Sequence, residues 1–219
     1  MYHHYKYKGF FKFLIAYHTA KLIAYNTKPK KIMKILMLDN YDSFTYNLVQ
    51  LVKENSLFEI DVLRNDEISL ADVDNYDKII LSPGAGVPRD AGIMCELIKT
   101  YQNTKAIFGV CLGMQAIGEV FGANLVNIDA PLHGVSTSIK HHSNRLLRNI
   151  PTEFKVGRYH SWALESATVP NNLEITATDF DGVVMAIEHK TLPIFGVQFH
   201  PESILTDFGK EIMVNFLNN

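Results

Sequence analysis

Two kinds of hydrophobic pattern alternate along the chain from Lys34 onward. Short hydrophobic runs rich in β-branched residues indicate buried strands, and hydrophobic residues that recur every three to four positions indicate helices packed by one face. The first pattern predicts strands over 34–38, 59–63, 78–81 and 106–110. The second predicts helices over about 44–54 and 91–101, and another helix beyond Cys111.

The later part of the chain changes character. Shorter strands over 135–139, 173–178 and 183–188 are typical of hairpins, with Asp181-Gly182 as a turn signal. A strand over 194–199 and a helix over about 207–217 complete the chain. Because the early strands alternate with helices, we expect one α/β domain over 33–219. Its mostly parallel central sheet would be flanked by helices on both faces, with a smaller antiparallel hairpin region.

Residues 1–32 differ from the rest. They carry seven lysines and no acidic residue, and they hold five of the ten tyrosines. They lack the long apolar region and small-residue cleavage site of a signal peptide. We interpret them as a basic N-terminal extension outside the fold, or as residues upstream of a true start at Met33. A basic amphipathic membrane anchor is the alternative.

Charge and cysteine content narrow the class of protein. The net charge is -2, but the chain after residue 32 has 14 basic against 23 acidic side chains, which argues against nucleic acid as the main partner. Two cysteines are too few for a secreted disulfide scaffold, so we expect a reduced thiol and a cytoplasmic protein. No apolar run is long enough to cross a membrane.

The stretch Gly109-Val110-Cys111-Leu112-Gly113 stands where a predicted strand runs into a predicted helix. It is a cysteine counterpart of the serine nucleophile elbow. The flanking glycines remove Cβ atoms that would clash in a sharp turn, and the positive end of the following helix favours a thiolate. The N–H of Leu112 can stabilise an oxyanion. A small buried residue between two glycines is the structural alternative.

A thiolate nucleophile needs a base, and His200 is the best placed of the nine histidines. It follows a buried-looking strand, and Glu202 two residues later can hold the imidazole in one tautomer. A surface histidine beside a solvated glutamate is the alternative. His133 and His160 stay open, and the polar surroundings of three others predict exposure: His141, His142 and His189.

The loop Ser82-Pro83-Gly84-Ala85-Gly86-Val87-Pro88 ends the third predicted strand. Its glycines allow a close approach of the backbone to a ligand, although a plain turn is the alternative. It is not a phosphate loop, since no Gly-Lys-Ser/Thr follows. No histidine spacing matches a metal site, and thiol chemistry needs neither metal nor cofactor. Cys95 falls within a helical pattern and is expected to be a packed thiol.

Taken together, these motifs resemble those of class I glutamine amidotransferases. The resemblance rests on Gly109–Gly113 with Met114-Gln115, on the glycine loop, and on the segment from Gly196 to Ser203. The opening Asp39-Asn40-Tyr41-Asp42-Ser43-Phe44-Thr45-Tyr46-Asn47 is similar to that of the glutaminase subunit of anthranilate synthase and of aminodeoxychorismate synthase. That opening is also compatible with a strand end and helix capping by Asp42 or Ser43. The likeness covers about 34–219 and implies a flavodoxin-like fold.

The resemblance implies a Cys-His-Glu triad. Cys111 would attack the carboxamide of L-glutamine to form a γ-glutamyl thioester, His200 would move protons, and Glu202 would orient His200. Backbone N–H groups of Gly84 and Leu112 would hold the oxyanion. The remaining residues implied at the glutamine site are Ala85, Gly86, Gln115, Ser161 and Trp162.

The resemblance also implies a partner. The chain is too short to hold a chorismate site, so ammonia would pass to a separate chorismate-binding synthase subunit, and the final product would be anthranilate or aminodeoxychorismate. Ala85 stands where the family usually has proline, Trp162 where leucine is commoner, and Val135 where lysine is frequent. A stand-alone γ-glutamyl thiol hydrolase and a degenerate regulatory binding module are the alternative functions.

Overall fold

The computed structural model describes residues 32–142 and 145–219. The predictions for 1–31 lie outside the described residues. Met33–Asn219 forms one compact unit, in which the described residues build one sheet of nine strands. The strands are β1 Lys34–Asn40, β2 Glu59–Arg64, β3 Lys78–Gly84, β4 Ala106–Val110, β5 Leu125–His141, β6 Glu153–Leu164, β7 Leu173–Asp179, β8 Val184–His189 and β9 Ile194–Val197.

One half of the sheet is parallel and the other is antiparallel. The order is β2-β1-β3-β4-β9-β8-β7-β5-β6. Strands β2, β1, β3, β4 and β9 pair in parallel, so their carboxyl ends share one edge. From β9 through β8, β7 and β5 to β6 every pairing is antiparallel. The predicted α/β class is therefore confirmed, and β9 is the strand at which the two halves meet.

Within the part of the chain that the structure describes, four α-helices cover the parallel half. They are α1 Thr45–Asn55, α2 Met94–Tyr101, α3 Leu112–Phe121 and α4 Gly209–Leu217. Leu48 of α1 and Phe216 of α4 pack in a core on one face of the sheet, with Phe108 of β4. Leu97 of α2 and Ile117 of α3 pack in a second core with other strand residues. Short 3₁₀ helices occupy Leu70–Asn75, Pro88–Asp90 and Ser166–Thr168.

The parallel half follows the predicted pattern, because strands covered on both faces are hydrophobic at nearly every position. Strand β4 has the predicted bounds, and all five of its residues are buried. Helix α2 begins three residues later than expected, after a turn, and β9 ends at Val197 rather than at 199. None of the helices among the described residues is long and apolar enough to cross a membrane.

The antiparallel half departs most from the prediction. The expected strand over 135–139 is part of the much longer β5, and β6 carries no predicted strand at all. Strand β5 pairs with β6 through irregular register between Asn127 and Leu132 and again between His133 and Val135. Such irregularities break the two-residue alternation that marks a half-buried strand. The pattern of the sequence therefore hides this hairpin.

Candidate active site

Cys111 lies at the sharp turn between β4 and α3. Its backbone adopts φ 52° and ψ -103°, a region that a residue with a Cβ rarely occupies. The turn is held by a hydrogen bond of 2.8 Å from the Cys111 N–H to the carbonyl of Val197 in β9. A Cβ on Gly109 would lie 2.4 Å from the backbone of Gly113, and one on Gly113 would lie 2.6 Å from the carbonyl oxygen of Leu81. Both flanking glycines are thus required sterically, as the elbow predicts.

His200 and Glu202 form a buried pair just beyond β9. His200 Nδ1 lies 2.7 Å from Glu202 Oε1, and the two side chains are 3% and 0% exposed. Because a carboxylate only accepts, Nδ1 carries the proton, which leaves Nε2 for chemistry. The structure thus has the expected pairing of imidazole and carboxylate, and it excludes the exposed histidine that was the alternative.

Two buried atoms of this pair are left without a hydrogen bond. They are His200 Nε2 and Glu202 Oε2. Desolvation of His200 opposes protonation, but the interactions of its imidazole with the sulfur of Cys111 and with the Glu202 carboxylate outweigh it and raise the pKa of His200 to about 10. Since the raised pKa lies above neutral pH, the imidazole is protonated there and stabilises a negative charge nearby. Cys111 and His200 therefore interact electrostatically within one site.

Aromatic rings fix the position of the imidazole. Tyr159 lies with its ring centroid 4.8 Å from that of His200, and Phe44 lies 5.3 Å away, both edge-on. The Tyr159 hydroxyl is 3.0 Å from Ser203 Oγ. Phe44 precedes α1, and its N–H donates to the Asp42 carboxylate at 2.8 Å. No side chain caps α1, so the capping role suggested for Asp42 or Ser43 is wrong.

A cavity of about 270 Å³ opens beside Cys111. It is lined by β3, the loop that follows it, α3 and β6. Of the predicted glutamine-site residues, those at this cavity are Gly84, Ala85, Gly86, Gln115, Ser161 and Trp162. Leu112 does not line it, and lines instead the adjacent cavity that contains Asn40. As the first residue of α3, however, Leu112 has a backbone N–H without an intrahelical acceptor.

A chain of side-chain amides runs beneath the thiol. Gln198 Nε2 lies 3.5 Å from Cys111 Sγ, and Gln198 Oε1 accepts a hydrogen bond of 3.2 Å from Gln115 Nε2. Gln115 Nε2 also donates to the carbonyl of Trp162 at 3.0 Å. Gln198 is completely buried. The sequence assigned it no role, although it stands in the segment that delivers His200.

A buried network of ionic and hydrogen-bonding side chains connects β6 to β7. Arg158 Nη1 lies 2.5 Å from Asp179 Oδ2, and Arg158 Nε donates to His160 Nε2 at 3.1 Å. His160 Nδ1 lies 2.8 Å from the carbonyl of Trp162, so the proton sits on Nδ1. Burial and the neighbouring Arg158 charge lower the pKa of His160 to about 4, which keeps this ring neutral. Only the pairing of β6 with β5 and the fold around β7 bring these residues together.

Three further predictions concern residues away from the site. His142 is exposed, as expected, but His141 and His189 are buried, so their predicted exposure is wrong. Backbone groups explain the burial: His141 Nε2 lies 2.8 Å from the Pro151 carbonyl, and His189 Nδ1 accepts from the N–H of Leu192 at 3.0 Å. Cys95 is half-buried, and burial raises the pKa of its thiol. Within the described residues, no group of three or more His, Cys, Asp or Glu can hold a metal ion.

The fold and this site define an α/β enzyme class with a cysteine at a strand-to-helix elbow. Residues 36–219 match the family described as glutamine amidotransferase class-I. The crystal structure of a proposed GMP synthase component from Thermoplasma acidophilum superposes with a TM-score of 0.77 at 28% identity, covering 85% of this chain and 93% of that one.

Named relatives narrow the comparison further. Anthranilate synthase component 2 of Azospirillum brasilense is 44% identical over 187 residues, which is 84% of this chain and 95% of that protein. The aminodeoxychorismate/anthranilate synthase component 2 of Bacillus subtilis is 44% identical over 185 residues, 84% and 95% of the two chains. In the bifunctional protein TrpGD of Thermotoga maritima, 43% identical over 190 residues, the match covers 85% of this chain but only 32% of that protein. The chain belongs to the class I glutamine amidotransferase family and is a glutamine amidotransferase enzyme.

Proposed function

We propose that this chain hydrolyses L-glutamine as the glutaminase subunit of an anthranilate synthase, and so acts in tryptophan biosynthesis. The observation that carries the proposal is the elbow at Cys111, with the His200–Glu202 pair beside it and an open cavity in front. The component 2 proteins that match over about 95% of their own length support the choice of synthase.

In the proposed mechanism, the Cys111 thiolate attacks the side-chain carboxamide carbon of glutamine. Backbone N–H groups of Gly84 and Leu112 stabilise the oxyanion, and protonated His200 gives its proton to the departing ammonia. Water then attacks the γ-glutamyl thioester while His200 accepts a proton from it, and the C–S bond breaks, which releases glutamate and restores the Cys111 thiolate and the protonated imidazole. Glu202 holds His200 in the required tautomer throughout.

Glutamine itself is proposed to occupy the cavity of about 270 Å³. Its lining residues offer backbone groups and amides rather than charges, which suits a neutral carboxamide. Thiol chemistry of this kind uses no metal or cofactor, and we propose none in this subunit. Free thiols persist in a reducing compartment, so the proposed location is the cytoplasm.

Ammonia is proposed to pass to a separate chorismate-binding synthase subunit. The Bacillus subtilis relative carries both aminodeoxychorismate and anthranilate in its name, which supports a second candidate product. Reconstitution with each synthase subunit, glutamine and chorismate distinguishes them. We expect the amine ortho to the carboxylate, and a product aminated only in the para position would contradict the anthranilate assignment.

A glutamine-analogue alkylating agent tests the nucleophile directly. We expect it to label Cys111 and to abolish glutaminase activity, because the analogue is attacked as the substrate is. Cys111→Ser should lose both the label and the activity, with a rate loss on the order of 10³-fold or more. Cys95→Ser is the matched control and should keep both. Labelling that persists in Cys111→Ser would count against the mechanism.

A further inference from the structure

Gln198 is the side-chain amide in contact with the reacting sulfur. It follows β9 directly and its backbone N–H donates to the carbonyl of Met185 at 2.9 Å, so its Cα is fixed by the sheet. Its side chain is 0% exposed, and its Nε2 lies 3.5 Å from Cys111 Sγ. A buried primary amide needs partners for both its oxygen and its nitrogen. Gln198 finds them in Gln115 and in the sulfur.

The orientation of this amide follows from a fixed acceptor. The carbonyl of Trp162 can only accept, so the nitrogen of Gln115 must face it at 3.0 Å. The same nitrogen lies 3.2 Å from Gln198, which therefore presents its oxygen to Gln115. The nitrogen of Gln198 is left facing the sulfur as a donor. His160 Nδ1 holds the same carbonyl at 2.8 Å, which ties the anchor to β6.

We propose that Gln198 supplies a hydrogen bond to the Cys111 thiolate and that Gln115 is a positioning residue that keeps this amide in the donating orientation. This inference deepens the proposed glutamine hydrolysis and rests on Cys111 being its nucleophile. A donor to an anionic sulfur stabilises the thiolate over the thiol. Gln115 then has two roles: it lines the cavity proposed for glutamine, and it orients the Gln198 amide that contacts the Cys111 sulfur.

The test is the rate at which iodoacetamide alkylates Cys111 in the full-length protein without glutamine. Peptide mass spectrometry separates this reaction from that of Cys95. The titratable groups that face the thiol are His200, with Glu202 behind it, and Tyr159 and His160 of β6, so the rate is followed over pH. Gln198→Met keeps the volume and removes the donor. We expect alkylation near neutral pH to fall about tenfold, the size expected for one hydrogen bond to a charged atom.

Gln115→Leu provides the second arm. Gln198 stays in place but loses the partner that orients it, so the alkylation rate should fall about threefold with no substrate present. A residue that only contacts glutamine would leave this rate unchanged. Gln50→Leu is the matched control, because Gln50 is exposed on α1 and its amide donates to Glu54 at 2.8 Å. It should react as the wild type does.

An unchanged pH profile and alkylation rate in folded Gln198→Met overturns the proposal, as does an unchanged rate in Gln115→Leu. If urea unfolding shows that Gln198→Met is not folded, the alkylation rate of Gln115→Leu alone decides whether the proposal holds. The proposed function has a separate readout. Absence of glutaminase activity in the wild type with the synthase subunit present, while the alkylation effects are intact, refutes glutamine hydrolysis and leaves the hydrogen bond to sulfur standing. Normal glutaminase activity in the wild type, with alkylation rates unchanged in the variants, refutes the hydrogen bond to sulfur and leaves glutamine hydrolysis standing.

Discussion

The imidazole of His200 is held on one side by a carboxylate and on another by aromatic rings. Glu202 contacts Nδ1 at 2.7 Å and keeps one oxygen, Oε2, buried without a partner. A buried carboxylate that is only half satisfied gains from any nearby positive charge. The pair therefore favours the protonated imidazole and so places a positive charge near the sulfur of Cys111.

Glu202→Gln tests this arrangement by pH. The wild-type pKa of His200 is raised to about 10, so the imidazole loses its proton only as the pH rises through that value. Removal of the carboxylate should lower the pKa of His200, and the proton should be lost at a lower pH. We expect kcat to fall on the order of a hundredfold. NMR titration of the imidazole and the pH profile of kcat are the measurements.

The chain offers a matched control for this variant. His142 and Glu174 form the same kind of pair at 2.9 Å, but on the surface, with side chains 55% and 48% exposed. Glu174→Gln should leave both the titration of His200 and the pH profile unchanged. A Glu202→Gln enzyme whose His200 titrates as in the wild type would show that the carboxylate does not hold the proton.

The grouping of candidate residues in short motifs was predictable, and that of residues joined only by packing was not. Cys111, His200 and Glu202 stand in contiguous motifs, so the sequence predicted that they lie together, while their catalytic roles stay a prediction. The burial of His141 and His189 was not predicted. Both imidazoles form hydrogen bonds with backbone groups, and the polar residues next to them in the sequence do not indicate these bonds. Gln198 was equally hidden, because its partners Gln115 and Cys111 come from α3 and the elbow.

Among the elements, β6 decides how the cavity is built. It supplies Tyr159, His160, Ser161 and Trp162 to the cavity wall, yet it carries no simple alternation of polar and hydrophobic residues. Arg158 of this strand is buried because Asp179 of β7 provides a charge for it. Strands β3 and β4 contain buried hydrophobic runs that the pattern predicts, whereas the pattern of β6 predicts no strand.

Arg158→Met tests the charge that supports β6. Arg158 and Asp179 are 4% and 6% exposed, so removal of the guanidinium leaves a carboxylate buried without its cation. We expect a loss of about 3 kcal/mol in the free energy of unfolding, measured in urea. The KM for glutamine should rise as well, since His160 loses the donor that fixes its ring.

An exposed arginine provides the comparison. Arg64 pairs with Glu67 at 3.5 Å, with side chains 51% and 58% exposed. Because solvent screens such a pair, Arg64→Met should leave the urea midpoint and the KM for glutamine unchanged. An equal loss in the free energy of unfolding for the two variants would show that the buried Arg158–Asp179 pair stabilises the fold no more than an exposed pair does.

At the scale of the whole molecule, one sheet combines two tasks. The parallel half places the elbow and His200 at one edge, where its strands end. The antiparallel half closes the cavity with β6. The α/β class, with a parallel half and hairpins, could be predicted because β-α alternation and turn signals are local, although the antiparallel half is as large as the parallel half. The length of β5 and its pairing with β6 depend on long-range contacts, which no local pattern encodes.

We expect basal glutaminase activity to be low and to rise about tenfold when the synthase partner binds, within the usual range of coupling free energies. A thioester cycle that ran alone would discard its ammonia. The measurement is glutamate release with and without the partner. Cys111→Ser is the control, and should abolish glutamine-dependent product while ammonia-dependent product persists. Equal rates of glutamate release in the two conditions would refute the coupling.

The hydrogen bond from the Cys111 N–H to the Val197 carbonyl has a consequence for how such control can work. It joins the turn at Cys111 to β9, the strand that leads to His200 and that pairs with β4, so we expect Cys111 and His200 to keep their relative positions when a partner binds. We therefore do not expect a partner protein to regulate the reaction rate by moving Cys111 away from His200. It would instead have to reshape the entrance, through the glycines at 84 and 86 or the wall at 159–162. Regulation of this enzyme would then change how glutamine enters the cavity, and the positions of Cys111 and His200 would stay the same.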